Sequence, residues 1–206
     1  MENLAFNFHT ILFFSISYLI GSIPFGYLIY KLKKNDDIRE YGSGNIGATN
    51  VNRLLGKKLG FATLFFDFSK TFCICLLINN FYGNDLAAIC GLLTILGHIF
   101  PIWLKFKGGK GVASFLGMLC LVSWPLTLIF CFVWLISVKF LKFSAAGAII
   151  AIIFNIAIFQ LILLMQFYKD ILFWIPGTPF EFKLIFILSI IILYKHHSNL
   201  TGFLKK

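Results

Sequence analysis

The residue types best suited to chemistry lie in Glu40–Arg53, the first polar segment, which reads EYGSGNIGATNVNR. Its glycines allow backbone N–H groups to close around an anion, and the hydroxyls of Ser43 and Thr49 offer further donors. Arg53 adds the planar, bidentate donor pair that fits a phosphate group. The pattern predicts phosphate binding. The alternative is a flexible polar loop whose basic residues simply face the cytoplasm.

A second polar segment, Gly97–Gly111, reads GHIFPIWLKFKGGKG and runs into an apolar stretch. Gly108 and Gly109 precede Lys110, and a helix that starts after such a loop presents N–H groups to an anion. The GxxxxGK[ST] spacing of a Walker A loop is missing, because Val112 follows the last glycine. A different kind of phosphate loop is therefore predicted, and the alternative is a basic turn that binds anionic lipid headgroups.

A third polar segment, Lys195–Asn199, reads KHHSN and follows the last apolar run. His196 and Asn199 are three residues apart, so they share a face of a continuing helix. No metal site is predicted, because no carboxylate spacing supports zinc and the remaining histidines are His9 and His98. The alternative to ligand binding is the polar end of a helix at the membrane interface.

The elements that position these segments are membrane helices. The chain has 206 residues, of which 59% are hydrophobic and 13% charged, whereas a soluble domain is about half apolar and a quarter charged. Lipid must cover much of this apolar surface. We therefore predict an all-α integral membrane protein that forms one polytopic domain over residues 1–206.

Five apolar runs are long enough or apolar enough to predict helices, at 9–31, 59–81, 86–104, 145–167 and 182–195. The stretch 112–138 is long for one span and short for two. Pro125 interrupts it, and proline disfavours a helix interior. Two helices meeting at 123–125 would give seven spans, and one kinked helix would give six.

Basic residues favour seven spans, because Lys and Arg concentrate in cytoplasmic loops. With seven spans, all but three of the 18 Lys and Arg residues fall on one side, the exceptions being Lys70, Lys169 and Lys183. We predict a seven-transmembrane-helix bundle with the amino terminus outside and the carboxyl terminus in the cytoplasm. The three polar segments then gather at the cytoplasmic face, next to lipid.

Two charged residues, Asp67 and Lys70, lie inside the second predicted span, three positions apart. Charges at such a depth are costly and usually have a purpose. We predict a mutual ion pair that packs the bundle, and the alternative is a supporting role near the site.

The three polar segments resemble the three motifs of the bacterial acyl-phosphate-dependent glycerol-3-phosphate acyltransferases, and GSIPFGYLI (Gly21–Ile29) is also similar to that family. The resemblance implies a multi-pass enzyme of the bacterial cytoplasmic (inner) membrane whose active site is cytoplasmic. It would transfer an acyl chain from acyl phosphate to the sn-1 hydroxyl of glycerol 3-phosphate, giving lysophosphatidic acid and phosphate, the first step of phospholipid synthesis. The implied partners are these two substrates and membrane lipid, with no cofactor and no nucleic acid.

The resemblance also implies site residues. The catalytic ones are Ser43, Arg53, Lys110 and His196. The substrate-binding ones are Asn45, Thr49, Gly108, Gly109 and Asn199. One departure is that Gly202 stands where the third motif commonly has an arginine, and the chain ends before the usual acidic residue. We expect activity to survive this departure, with a less stable carboxyl end.

The mechanism that we expect is direct acyl transfer without an acyl-enzyme, with the departing phosphate accepting the hydroxyl proton. The rivals are His196 as a general base and Ser43 as a nucleophile. Two other classes of function are a transporter of a phosphorylated solute and a non-catalytic scaffold for anionic lipid. The chain shows no internal repeat, which argues against an inverted-repeat transporter.

Overall fold

Hydrogen-bonded helices account for nearly all regular structure in the computed structural model, which describes residues 8–204 and the side chains of residues 8–197. The α-helices within this range are α1 (Phe8–Gly21), α2 (Phe25–Lys34), α3 (Ala48–Leu55), α4 (Lys57–Tyr82), α5 (Asn84–Ile99), α6 (Val112–Val122), α7 (Trp124–Leu141), α8 (Ser144–Lys169) and α9 (Pro179–Leu204). Two one-turn 3-10 helices lie at Ile38–Glu40 and Ile102–Leu104. The predicted all-α class is confirmed.

Five segments of the described chain are long and apolar enough to cross a membrane, namely Phe8–Lys34, Lys57–Tyr82, Asn84–Leu104, Trp124–Leu141 and Ser144–Lys169. Helix α6 is apolar but shorter. Large side chains on these segments are exposed, for example Phe61 and Phe140. Because a lipid environment requires every backbone group to be bonded within the protein, helices are the expected way to cross it. The chain is a multi-pass membrane protein.

Contacts divide the chain into two compact units, of which unit 1 ends at Met118 and unit 2 begins at Leu119. In unit 1 the span predicted at 9–31 is broken into α1 and α2 at Ser22–Pro24, because proline has no N–H to donate and its ring clashes with the preceding turn. Helices α1 and α5 approach closely. A Cβ on Gly21 would collide with the backbone of Thr94, and one on Gly97 would collide with α1.

A buried apolar cluster in unit 1 supports the two loops that carry the first and second polar segments. Its members are Tyr30, Ile38, Ile46, Val51 and Leu104. They come from α2, both 3-10 helices, the glycine-rich loop and α3. Each such side chain contributes about 1.5–3 kcal/mol when fully buried, so the cluster fixes both loops to one support.

Unit 2 contains the predicted interruption. Helix α6 ends at Val122 and α7 begins at Trp124, with Ser123 extended between them. Pro125 lies in the first turn of α7, where a missing N–H loses no helical bond. Helix α8 packs on α7, and the buried Asn155 of α8 donates to the Leu126 carbonyl at 2.8 Å.

Helix α9 begins with a capping box. The Glu181 N–H donates to Thr178 Oγ1 at 3.2 Å, and the Thr178 N–H donates to Glu181 Oε2 at 2.8 Å. This reciprocal pair satisfies two donors that a helix start otherwise leaves unbonded. It fixes where the helix that carries His196 begins.

Candidate active site

One buried amide folds the first polar segment. Asn50, which is 1% exposed, accepts the Ser43 N–H on Oδ1 at 3.0 Å. Its Nδ2 donates to the carbonyls of Tyr41 at 3.0 Å and Asn45 at 2.9 Å. Three hydrogen bonds from a single side chain thus shape the loop around Ser43. Sequence reasoning did not assign a role to this asparagine.

Ser43 stands between two glycines in left-handed conformation, Gly42 with φ 64° and Gly44 with φ 67°. A Cβ on Gly42 would also collide with Asn50 Oδ1, so both backbone conformation and space favour glycine there. Ser43 itself is exposed. No unit 1 side chain that the structure describes hydrogen-bonds its hydroxyl, so the loop presents the hydroxyl without an attached base.

Helix α3 carries two further predicted residues. It begins after Gly47 without a side-chain cap, so its N-terminus has the partial positive charge of an uncapped helix end. Thr49 lies in the first turn, and Arg53 follows it four residues later on the same face. Asn45 lies just before the helix and is half-buried.

Two arginines near the first polar segment have different roles. Arg39 donates to both carboxylate oxygens of Asp37, with Nη2–Oδ2 2.6 Å and Nε–Oδ1 3.0 Å. This hydrogen bonding by Arg39 is the main cause that holds the pKa of Asp37 below its ordinary value. Arg53 is exposed and has no ion pair within the part of the chain that the structure describes. Arg53 is therefore the guanidinium left for a ligand.

The second polar segment folds back onto the end of α5. The Gly109 N–H donates to the His98 carbonyl at 3.1 Å, and the Gly108 N–H donates to the Ile99 carbonyl at 3.2 Å. A Cβ on Gly108 would meet the His98 carbonyl, and one on Gly109 would meet the His98 ring. Close approach, rather than flexibility, therefore requires the two glycines.

Lys110 carries the buried cation of this segment, whereas Lys105 and Lys107 are exposed. Its Nζ is buried and has no hydrogen-bond partner among the described residues. Burial lowers the pKa of Lys110 to about 8, because a low-dielectric surrounding disfavours the charged form. Gly111 has φ 89° and α6 begins at Val112. The ammonium and this helix N-terminus can together stabilise an anion.

The predicted ion pair inside the second span is present but has a third member. Lys70 Nζ lies 3.1 Å from Asp67 Oδ1, and both side chains are almost fully buried. His98 Nδ1 lies 3.0 Å from Lys70 Nζ and 3.4 Å from Asp67 Oδ1. Sequence reasoning considered His98 only as a metal ligand and missed this contact. The signal was a pair of charges within an apolar run, which needs further polar partners.

The third polar segment lies on α9 in unit 2. His196 is buried, and its Nδ1–H donates to the Ile192 carbonyl at 2.8 Å. A neutral ring that makes this bond carries its proton on Nδ1, and Nε2 is then unprotonated. The side chain of Asn199 lies outside the described residues. No group of three His, Cys, Asp or Glu side chains that could hold a metal ion is found in the described range.

A cavity of about 480 Å³ in unit 1 contains none of the predicted site residues. Its lining residues are Tyr27, Arg39, Glu40, Trp103, Leu104, Lys105 and Lys107. Arg39 is already paired with Asp37, which weakens the cavity's attraction for an anion. The predicted site residues and this cavity therefore do not coincide, although the cavity borders the first and second polar segments.

The sequence is similar to those of known membrane enzymes. Residues 11–206 match the family model described as Glycerol-3-phosphate acyltransferase. A glycerol-3-phosphate acyltransferase of Brucella anthropi is 40% identical over 188 residues, covering 91% of this chain and 86% of that protein. One of Bartonella henselae is 39% identical over 203 residues, covering 96% and 89%.

Solved structures agree. The glycerol 3-phosphate form of PlsY (YgiH), an integral membrane glycerol 3-phosphate acyltransferase, matches with TM-score 0.82 and 34% identity over 96% of this chain and 92% of that chain. Its lysophosphatidic acid form matches with TM-score 0.80. The fold and the polar loops define a multi-pass membrane enzyme of the acyltransferase class. The chain belongs to the glycerol-3-phosphate acyltransferase family.

Proposed function

We propose that this acyltransferase takes its acyl chain from acyl phosphate and transfers it to the sn-1 hydroxyl of glycerol 3-phosphate, giving lysophosphatidic acid and phosphate. The observation that carries the proposal is the buried Nζ of Lys110, which has no hydrogen-bond partner among the described residues. A buried ammonium without a partner is costly, and a phosphate group bound there would relieve that cost. Glycerol 3-phosphate and lysophosphatidic acid name the two forms of the similar PlsY structure.

The proposed roles follow from the charges that remain available. Arg53 and Lys110 would neutralise phosphate and the oxyanion that develops on the acyl carbonyl, with loop N–H groups assisting. Ser43, Asn45 and Thr49 would orient substrate. Since acyl phosphate is already activated, holding both substrates in register could supply about 7–11 kcal/mol of barrier reduction.

The proposed chemical step is a direct displacement. The sn-1 oxygen attacks the acyl carbonyl carbon, and the bond from that carbon to the phosphate oxygen breaks. The hydroxyl proton passes to the departing phosphate. Ser43 is a weaker nucleophile candidate, because no described unit 1 side chain hydrogen-bonds its hydroxyl. Trapping an acylated Ser43 after mixing with acyl phosphate alone would overturn direct displacement.

His196 as general base is the rival for the proton. Its Nδ1–H bond to the Ile192 carbonyl selects, for the neutral ring, the tautomer with a lone pair on Nε2. A His196→Gln variant distinguishes the two mechanisms, because the amide can still donate a hydrogen bond but cannot serve as a base. Turnover near that of wild type would exclude the histidine base, and a loss in kcat with unchanged KM would favour it.

We further propose one domain over residues 1–206 with seven transmembrane helices, in the bacterial cytoplasmic membrane. The amino terminus would be outside, and the active site and carboxyl terminus would be cytoplasmic. The interruption at Ser123 and the 26-residue length of α9 support this count. The clustering of Lys and Arg in alternate loops supports the orientation.

The test of function is product formation by purified protein given palmitoyl phosphate and glycerol 3-phosphate, beside palmitoyl-CoA as donor. Arg53→Ala is expected to lower kcat/KM roughly 10- to 150-fold, which corresponds to a charge-assisted hydrogen bond of about 1.5–3 kcal/mol. Lys58→Ala removes an exposed cation outside the polar segments and is the matched control, expected to remain near wild type. Folded wild-type protein that makes no product from any donor would contradict the proposal and favour the transporter.

A further inference from the structure

We propose that Asp67, Lys70 and His98, the buried triad, set the position of the Gly108–Lys110 loop and through it the ammonium of Lys110. None of the three is proposed to touch substrate. They are positioning residues for a reaction that belongs to the proposed function, on which this inference rests. The three side chains converge from α4 and from the last turn of α5.

Lys70 is the centre of the triad. Its Nζ hydrogen-bonds the Ile23 carbonyl at 3.0 Å and His98 Nδ1 at 3.0 Å. Nζ also lies 3.1 Å from Asp67 Oδ1, an ion-pair distance at which no hydrogen bond forms. The Ile23 carbonyl lies at the break between α1 and α2. One cation therefore ties three segments of unit 1 together.

His98 transmits this arrangement to the loop in two ways. Its carbonyl accepts the Gly109 N–H at 3.1 Å, and its ring lies against the Gly109 Cα, where a Cβ would collide with Nε2. Lys70 holds the other ring nitrogen. If the contact with Lys70 is lost, the ring can rotate, and the backbone just before Lys110 loses the surface on which it rests.

Asp67 anchors the other end of the same loop. The Ser114 hydroxyl donates to the Asp67 backbone carbonyl at 2.9 Å, and Ser114 lies in the first turn of α6, four residues after Lys110. Lys110 therefore lies between two residues, Gly109 and Ser114, that hydrogen-bond backbone carbonyls of the triad. Lys70 alone is enough to neutralise the charge of Asp67. The contact of His98 with this pair is therefore not needed for charge balance, and it connects the pair to the loop.

The test begins with His98→Gln, which keeps a neutral polar side chain but places no atom where Nδ1 lies. Misplacing a catalytic group by about 1 Å can cost about 10²-fold in rate, so kcat/KM is expected to fall by about that factor. His98→Asn places its amide near the Nδ1 position and is expected to recover about tenfold of the loss. Equal losses in the two variants would contradict the role of the Lys70 contact.

The decisive comparison combines His98→Gln with Lys110→Ala. If the triad acts through Lys110, the histidine change has little further effect once the ammonium is gone, since coupled residues are not additive. The matched control is Asn155→Ala, which removes from unit 2 a polar side chain that is as buried as His98. The losses in kcat/KM caused by Asn155→Ala and Lys110→Ala are expected to multiply in the double variant. Multiplication by His98→Gln as well would mean that the triad acts only through stability.

Hydrogen exchange gives a second readout that does not need activity. The Gly108 and Gly109 amides should exchange about tenfold faster in His98→Gln, because the hydrogen bonds that protect them open more often. Peptides from α8 should exchange as in wild type. Unchanged loop exchange, or equal acceleration everywhere, would overturn the inference. An inactive wild type would instead count against the proposed function, with the exchange result still valid.

Discussion

At the scale of residues, the cations of the site differ in whether they already have a partner. Arg39 is paired with Asp37 and Lys70 with Asp67. Arg53 has no ion pair in the described chain, and the buried Nζ of Lys110 has no hydrogen bond there. Sequence indicates which residues carry charge, but only the structure shows which charges are available to a substrate.

The pH dependence of activity tests the availability of Lys110. Its pKa is lowered to about 8, so the side chain is charged below that pH and loses its proton above it. Because a phosphate is attracted by the charged form, kcat/KM should fall about tenfold per pH unit above about 8. The measurement is a pH profile of kcat/KM from pH 6.5 to 10.

Two variants serve as controls for that profile. Lys110→Arg keeps a charge that does not titrate in this range, so it should remove the alkaline decline even if its activity is lower. Lys107→Ala removes an exposed cation from the same loop and should leave the decline in place. A decline near pH 8 that persists in Lys110→Arg would assign it to another group.

At the scale of elements, the first polar segment has its shape because of one side chain. Asn50 satisfies three backbone groups of the loop, and Gly42 leaves room for its amide. The loop that presents Ser43 therefore depends on a buried residue nine positions from its farthest partner, Tyr41.

Replacing that residue should disable the loop. Asn50→Ala is expected to lower kcat/KM by about 10²-fold, because the backbone around Ser43 moves out of register. Unsatisfied backbone groups should also lower the free energy of unfolding by about 1–3 kcal/mol. Asn52→Ala, an exposed amide on the same helix, is the control for both measurements. Equal activity of the two variants would show that the loop keeps its shape without Asn50.

Helix-scale features were predictable where they depend on local sequence, and less so where they depend on distant contacts. Apolar run length predicted the long helices, and Pro125 predicted the break that the structure has at Ser123. The break at Ser22–Pro24 was missed, although its proline was visible, because the surrounding apolar run is continuous. The contact between Lys70 and His98 joins residues 28 positions apart, which local patterns do not reveal.

At the scale of the whole molecule, the apolar surface of the long helices requires lipid, and the basic loops indicate orientation. Cysteine labelling tests both. In a variant without its native cysteines, Asp170→Cys should react with a membrane-impermeant maleimide in intact cells, and Lys142→Cys should react only after permeabilisation. With six spans these two results would be exchanged, because every segment after residue 138 would change sides.

Two further positions calibrate the labelling experiment. Asn84→Cys should be labelled from outside with either six or seven spans, and Lys34→Cys should be protected with either. Reversal of both controls would mean that the amino terminus is cytoplasmic. The labels therefore separate the number of spans from their orientation.

The buried triad also limits how this sequence can change over time. Removing one partner of a buried ion pair costs about 3–5 kcal/mol, whereas replacing both with apolar residues can be close to neutral. Since Lys70 also holds the Ile23 carbonyl and His98, a neutral exchange here would need several simultaneous substitutions. Replacing Asp67 or Lys70 alone is therefore expected to destabilise the fold, so drift to an apolar pair would pass through a less stable intermediate. The three residues are therefore expected to be retained together or replaced together during evolution.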